Sequence, residues 1–171
     1  MIIREEKDTD QGQIWQLNAE AFETEAEANL INSLRDSGVS FISLVAEEDT
    51  KVVGHILFTP VELIGDRTNL KLMGLAPMAV TPKLQKKGIG SQLVKAGLDR
   101  CLAHGHDAVV VLGHPDYYPR FGFVPSLTYG VKSEFDVPAE VFMLKVLRDG
   151  ILDGRSGIVR YHQAFLNPSG S

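Results

Sequence analysis

The sequence holds one cysteine, Cys101, in 171 residues, so no internal disulfide can form. It has no apolar run long enough to span a membrane. Its first residues, Met1-Ile2-Ile3-Arg4-Glu5-Glu6, lack the apolar core of a signal peptide, and a cytoplasmic protein is the expectation. Positive charge is in deficit: 17 Lys and Arg against 22 Asp and Glu leave a net charge of −5, which argues against a nucleic-acid binder and gives no sign of a membrane surface. That balance still leaves room for a locally basic phosphate site, and it suits a cationic acceptor such as an amine. Several chemical signatures are missing as well. There is no G-x-x-x-x-G-K-[ST], no G-x-S-x-G elbow, and no third glycine for a dinucleotide turn, because Leu93 stands where it would fall. His104-x-His106 has no cysteine or carboxylate neighbours at metal spacing, so no metal is expected. No internal repeat or low-complexity linker interrupts the chain.

What is present is ordinary for a soluble globular protein, 44% apolar and 23% charged. A single domain over residues 1–171 is expected, with 150–171 as a C-terminal strap. The chain is organised around Leu75 to Leu102. An apolar run ending in Met78-Ala79-Val80 reads as a buried strand, and Thr81-Pro82 ends it because proline has no N–H to donate. The turn Gln85-Lys86-Lys87-Gly88-Ile89-Gly90 follows. A helix comes next, with Ile89, Leu93, Leu98 and Cys101 on one face. A glycine-bearing turn at a helix N-terminus is an anion site: the first-turn amides lack intrahelical partners and the helix dipole points positive there. Lys83, Lys86 and Lys87 add charge beside it.

With its flanks, Gln85 to Gly90 closely resembles the acyl-CoA signature Q/R-x-x-G-x-G/A of the GNAT superfamily of N-acetyltransferases. Leu75-Ala76-Pro77-Met78-Ala79-Val80 and Gly113-His114-Pro115-Asp116-Tyr117-Tyr118-Pro119-Arg120-Phe121-Gly122-Phe123 resemble its YhbS-like subgroup. The resemblance covers most of the chain. It implies an α/β (α+β) fold of the GNAT type: a mixed, mostly antiparallel central sheet with helices on both faces and a splayed fourth and fifth strand. It also implies that the backbone of Met78, Ala79 and Val80 pairs with the pantetheine arm of acetyl-CoA. Gln85, Lys86, Lys87, Gly88, Ile89, Gly90 and Ser91 would then form the pyrophosphate cradle, and Tyr118 would hydrogen-bond the sulfur and protonate the leaving thiolate. A homodimer is compatible with the family.

Taken in order, Met1–Glu6 reads as a strand, residues 8–22 as a helix capped by Asp8-Thr9-Asp10, and Glu25–Asp36 as a helix stopped at Ser37-Gly38. A hairpin follows over Phe41–Glu47 and Lys51–Leu63, with Gly54 and Pro60 as irregularities. A turn at residues 65–69 leads to a strand over Leu70–Val80. Pro77 within it calls for a bulge or an unpaired edge. Ala108–Leu112 reads as a strand covered on both faces and parallel to the previous one. Asp116–Phe121 suggests helical turns. Phe123–Val131 and Val141–Leu147 suggest closing strands joined by the loop 132–138, Ile158–Tyr161 a late strand, and residues 167–171 a frayed end.

The acceptor's base is the weak point of the sequence. Many relatives carry a glutamate on the fourth strand, whereas Leu70-Lys71-Leu72-Met73-Gly74-Leu75 offers no carboxylate. Glu23, Glu25, Glu27, His55 and His114 are the other candidates, and His114 is preferred because it follows the fifth strand a few residues before Tyr118. Tyr117 reads as packing. Two function classes result: an N-acetyltransferase acting on an unidentified amine by direct attack in a ternary complex, and a non-catalytic acyl-CoA-binding or sensing domain, which the missing carboxylate favours.

Overall fold

The computed structural model describes residues 1–66 and 69–166, so the frayed end expected at 167–171 lies outside the described residues. Among the described residues nine strands form one mixed sheet, and the chain divides into two compact units.

The first unit comprises residues 1–59, 76–97 and the segment from His162 on. Strand β1 (Ile2–Glu5) pairs antiparallel with β2 (Ile42–Glu48), and β2 pairs antiparallel with β3 (Lys51–Ile64). The β2–β3 register shifts where Ala46 faces Gly54 but Glu47 faces Val52, leaving Val53 as the extra residue of a bulge. Helices α1 (Gln11–Ala21) and α2 (Ala26–Ser37) bury Ile14, Leu17, Leu30, Ile31 and Leu34 against Val45, Val52, Leu57 and Ala79. Helix α2 ends as its sequence predicts, on a left-handed Gly38 (φ 76°). The start of α1 differs from expectation. Asp8–Asp10 form a 3-10 turn, and the Asp10 carboxylate accepts from the Lys7 amide (2.6 Å) and from both terminal nitrogens of Arg4 (2.7 and 3.0 Å) instead of capping the helix. Helix α3 (Ile89–Ala103) begins in this unit. A Cβ on its Gly97 would lie 2.3 Å from the Phe58 ring, so glycine is what lets α3 lie this close to β3.

The second unit comprises residues 60–75 and 98–161. Strand β4 (Leu72–Val80) opens here and pairs in parallel with β5 (Ala108–Leu112), from Leu72↔Ala108 to Gly74↔Val110. Residues 108–111 of β5 are fully buried, as a strand covered on both faces must be. Strand β6 (Val124–Pro125) and the later β8 (Phe142–Val146) extend the sheet antiparallel from β5, in the order β5-β8-β6. Strand β7 (Val131–Ser133) pairs in parallel with β9 (Gly157–Arg160), which pairs antiparallel with Glu62–Ile64 of β3.

One expectation is corrected and one is narrowed: of the bulge or unpaired edge expected at Pro77, only the edge is excluded. Phe123–Val131 is not one strand. After Pro125 the chain makes a 3-10 turn at Ser126–Tyr129 and turns on a left-handed Gly130 (φ 73°), and the Ser126 hydroxyl donates to the Val131 carbonyl (2.7 Å). That arrangement reserves Val131–Ser133 for β7, so the loop expected from Lys132 begins later. Pro77 also does not sit on an edge, because β4 lies between β3 and β5. The Ala76–Pro77 bond is cis, and Pro77 stands beyond the three residues that pair with β5, where that ladder needs no N–H from it.

Candidate active site

The expected cradle is built from consecutive residues of the first unit. Along the end of β4, Ala79 points into the core (3% exposed) while Met78 and Val80 are half-buried. The Thr81 amide donates to the bulged Val53 carbonyl (2.9 Å), and Pro82–Leu84 make one 3-10 turn. The Gln85 side-chain amide then reaches back and donates to the Val80 carbonyl (3.1 Å), tying the turn to the strand it leaves. This gives the first residue of the motif a backbone-shaping role. Lys86 (φ 64°) and Gly88 (φ 90°) both adopt left-handed conformations. For lysine that conformation costs on the order of 1 kcal/mol, the kind of local strain found at binding turns. Helix α3 starts at Ile89, which anchors it by burying its side chain (7% exposed), and the Gln92 amide donates to the Gly88 carbonyl (3.1 Å). Gly88, Ile89 and Gly90 thus occupy the first turn, whose amides have no intrahelical acceptor by helix geometry. Ser91 follows half-buried, and Lys86 and Lys87 are exposed. A Cβ on Gly88 would meet no atom within 4 Å, so the space over the turn is open.

Tyr118 belongs to the second unit and is 8% exposed at the head of a 3-10 turn over Tyr118–Phe121. Its ring meets Tyr117 edge-on (5.0 Å between centroids) and Phe123 likewise (5.6 Å). Burial, and secondarily the neighbouring Tyr117, push its hydroxyl up to about 12, so it remains a proton donor across the neutral range. No hydrogen bond among the described residues engages that hydroxyl. Gly113, which the sequence did not single out, makes room for the Tyr118 ring: a Cβ there would lie 2.4 Å from its Cε2. Its signal was a glycine directly after a β-branched strand and five residues before the tyrosine. Tyr117 is half-buried, and the Arg120 guanidinium lies 4.6 Å over its ring.

The candidate bases fall into different settings. His114 is exposed, on the turn between β5 and Tyr118, and its carbonyl accepts from the amides of Tyr117 (3.1 Å) and Tyr118 (3.4 Å). His55 is sealed in the first unit. Its Nε2 is 2.9 Å from the Ser43 hydroxyl and its Nδ1 is 3.4 Å from the Asn18 amide nitrogen. An amide nitrogen can only donate, so Nδ1 accepts and Nε2 carries the proton, which it gives to Ser43. Burial, with Arg35 adding repulsion, drives His55 down to about 3, and an imidazole with no solvent contact is a poor base for an incoming amine. Glu23 and Glu25 are exposed, and Glu27 is a first-turn charge on α2. The carboxylate that reaches the start of β4 comes from elsewhere: Asp107 is buried and accepts from the Lys71 amide (2.8 Å), which braces the parallel pair. Cys101 is buried, and burial raises its thiol to about 12, so it is inert. Among the described residues no three His, Cys, Asp or Glu side chains could share a metal, and no helix is long and apolar enough to cross a membrane.

Comparisons with known proteins bear on the family and the fold. The family model of the acetyltransferase (GNAT) domain matches residues 2–125. The uncharacterised N-acetyltransferase YhbS of Escherichia coli K12 is 37% identical over 166 residues, covering 96% of this chain and 98% of that one. YjhQ of the same strain, also an uncharacterised N-acetyltransferase, is 36% identical over 135 residues, 77% of this chain and 75% of its own. The crystal structure of E. coli YhbS in complex with CoA superposes with a TM-score of 0.91 at 37% identity, over 96% of this chain and 91% of that one. A Brucella melitensis GNAT acetyltransferase in complex with acetyl-CoA gives 0.78 at 32% identity, over 96% and 97%. Strand order, the β4–turn–α3 segment and these matches lead to one conclusion: the chain belongs to the GNAT family of N-acetyltransferases.

Proposed function

We propose that this protein transfers an acetyl group from acetyl-CoA to the amine of a small molecule or peptide by direct attack in a ternary complex. The observation that carries the reading is the β4–turn–α3 segment, with its left-handed Lys86 and Gly88 and its open first helical turn. Two relatives above 30% identity that were crystallised with CoA or acetyl-CoA support it. In this reading the backbone of Met78, Ala79 and Val80 holds the pantetheine, and the amides around Lys86, Lys87, Gly88, Gly90 and Ser91 take the pyrophosphate. The amine lone pair forms a C–N bond to the thioester carbon while a strand amide polarises the carbonyl. The C–S bond then breaks, and the Tyr118 hydroxyl gives its proton to the departing thiolate. His114 accepts the proton that the acceptor nitrogen loses. A cytoplasmic setting follows from the sequence reading and belongs to this proposal.

A purely sensing domain is not favoured, since the matched family and both relatives are acetyltransferases by name. Calorimetry with acetyl-CoA, run beside a thiol-release assay on a panel of amines, tests the proposal. Binding and release are both expected. No binding would overturn the whole reading, and binding without release on any amine would restore the sensor.

A further inference from the structure

An open cleft of ≈ 210 Å³ lies in the second unit, beneath the segment that follows β7. Its lining is dominated by Leu127, Phe135, Val137, Pro138 and Phe142, and Lys132 is the one charged residue in it. Its place is fixed by the sheet. Phe142 stands opposite Leu112, the last residue of β5, and the Gly113 amide donates to the Val141 carbonyl (2.9 Å). The cleft therefore adjoins the same end of β5 from which the His114–Tyr118 turn departs.

The walls are held before any ligand arrives. The Ser126 hydroxyl donates to the Val131 carbonyl, and the Phe135 amide donates to the Ser133 hydroxyl (2.9 Å). The Glu134 amide donates to the Val159 carbonyl (3.3 Å), and the Glu134 carboxylate accepts from the Tyr161 amide (2.6 Å). The Phe135 ring rests on Tyr161, 5.6 Å between centroids. Leu127 is 49% exposed at the lip, an apolar side chain left to water. Asp136 and Glu140 are exposed nearby but outside the lining.

A pre-held apolar cleft with a single ammonium group selects by chemistry. It gains by covering an aromatic or branched side group, it tolerates or attracts one carboxylate, and it penalises a second positive charge. We infer that this cleft seats the acyl acceptor, and that the acceptor is a small amino-acid-like amine bearing an apolar side group and an acidic group, not a polycation such as a polyamine or aminoglycoside. The inference rests on the acetyltransferase reading above.

The test measures thiol release from acetyl-CoA with phenylalanine, leucine, phenethylamine, spermidine and kanamycin, with calorimetry of acetyl-CoA as the control. The amino acids are expected to turn over, phenethylamine to need a higher concentration, and the polycations to fail. Leu127→Asp should raise KM for phenylalanine roughly ten- to a hundredfold, the range of losing apolar contact in a pocket. Lys132→Glu should raise KM for phenylalanine about tenfold and should not raise that for phenethylamine, because only the former carries the carboxylate. Neither variant should alter acetyl-CoA affinity. If acetyl-CoA binds but none of these amines turns over, N-acetylphenylalanine is titrated into the CoA complex. Binding that Leu127→Asp weakens supports the inference, and no binding overturns it. Preferred turnover of spermidine or kanamycin, or phenylalanine kinetics blind to both variants, also overturns it while leaving the acetyltransferase reading intact. Loss of acetyl-CoA binding in the unmodified protein defeats both.

Discussion

The Gln85–Ser91 turn and the Tyr117–Phe123 corner would serve the proposed reaction in opposite ways. The turn is exposed and, in the proposed reaction, would work through backbone. Its assets are amides at a helix start, two left-handed residues and nearby lysines, and the Gln85 side chain serves only to hold the loop to Val80. The aromatic corner is buried and, in the proposed reaction, would work through one hydroxyl, held in its protonated form by apolar surroundings and flanked by rings on two sides. A backbone site should tolerate changes of side chain but not an added Cβ or a lost glycine. A buried side-chain site should be indifferent to charge around it and intolerant of losing a single atom.

The largest effect tests the second half of that contrast. Tyr118→Phe removes one oxygen and keeps the ring contacts with Tyr117 and Phe123, so folding and acetyl-CoA affinity should be unchanged while kcat falls roughly a hundredfold to ten-thousandfold. Tyr117→Phe, at a half-buried packing position, should change kcat less than about threefold, too little to register as loss of a positioned acid. Equal, small losses would mean that the thiolate leaves without an acid from this corner. A dead Tyr117→Phe beside an intact Tyr118→Phe would transfer the role to the neighbouring ring. Gly113→Ala is the finer probe. Its methyl group would have to displace the Tyr118 ring, so kcat should fall with the hydroxyl still present.

The first half of the contrast is tested at the glycines, and the two are not equivalent. Gly90 lies inside α3 in helical conformation, so Gly90→Val carries no left-handed strain. It should weaken acetyl-CoA binding about tenfold or more with little loss of stability. Gly88→Val places a β-branched residue at φ 90°, and it should lose stability as well as affinity. Unchanged acetyl-CoA affinity in a well-folded Gly90→Val protein would break the phosphate reading of the turn.

How far these features could be read from sequence follows the same division. The strand–turn–helix of the proposed cradle was legible because it leaves its mark in local order: a strand, a proline, glycines at fixed spacing, then a periodic helix. Tyr118 was singled out only through its distance from Gly122-Phe123. Periodicity could not have separated it from Tyr117, since the difference is burial, which distant packing decides. The run Phe123–Val131 misled because its apolar residues fit a strand. What broke it was tertiary: a Ser126 hydroxyl bond and a left-handed Gly130 that turn the chain toward β9. His55 was one of several candidate bases in the sequence, and the structure shows Ser43 and Asn18 closing around it.

The buried titratable groups give a prediction with opposite signs at the two ends of the pH scale. His55 is held neutral, with its folded value at about 3 against an ordinary value of 6.5, so its contribution to stability is complete above pH 6.5 and is lost as pH falls from there toward 3. Asp10, held low chiefly by its hydrogen bonds to Arg4, adds loss in the same direction. Tyr118 is raised from 10 to about 12, so its contribution is complete below pH 10 and is lost as pH rises from 10 toward 12. Urea denaturation at pH 7, 5.5 and 4.5 should show falling stability, with a shallower fall in His55→Gln. The rate of acetyl transfer should show no alkaline limb near pH 10 from Tyr118. A limb there that vanishes in Tyr118→Phe would mean that the hydroxyl is not buried as described.

The smallest effect separates folding from function within the turn itself. Lys86 is a non-glycine residue held at φ 64°, so Lys86→Gly relieves strain of about 1 kcal/mol in the native state. Glycine also frees the unfolded chain, at a cost of about 0.4–1 kcal/mol, so the two terms nearly cancel. Thermal midpoint should therefore move by no more than a few degrees in either direction. Affinity is not balanced in this way. The substitution removes one exposed positive charge beside the proposed pyrophosphate and keeps the amide, so acetyl-CoA binding should weaken only a few-fold. That loss should shrink as salt rises, because an exposed charge is screened. Lys86→Ala gives up the same charge and keeps both the left-handed strain and the stiffer unfolded chain, so it should match the glycine variant in affinity and, by the same near-cancellation, lie within a few degrees of it in thermal midpoint. Should the two variants differ in affinity while matching in stability, the turn would be selecting its ligand through side-chain shape, and its contrast with the aromatic corner would not hold.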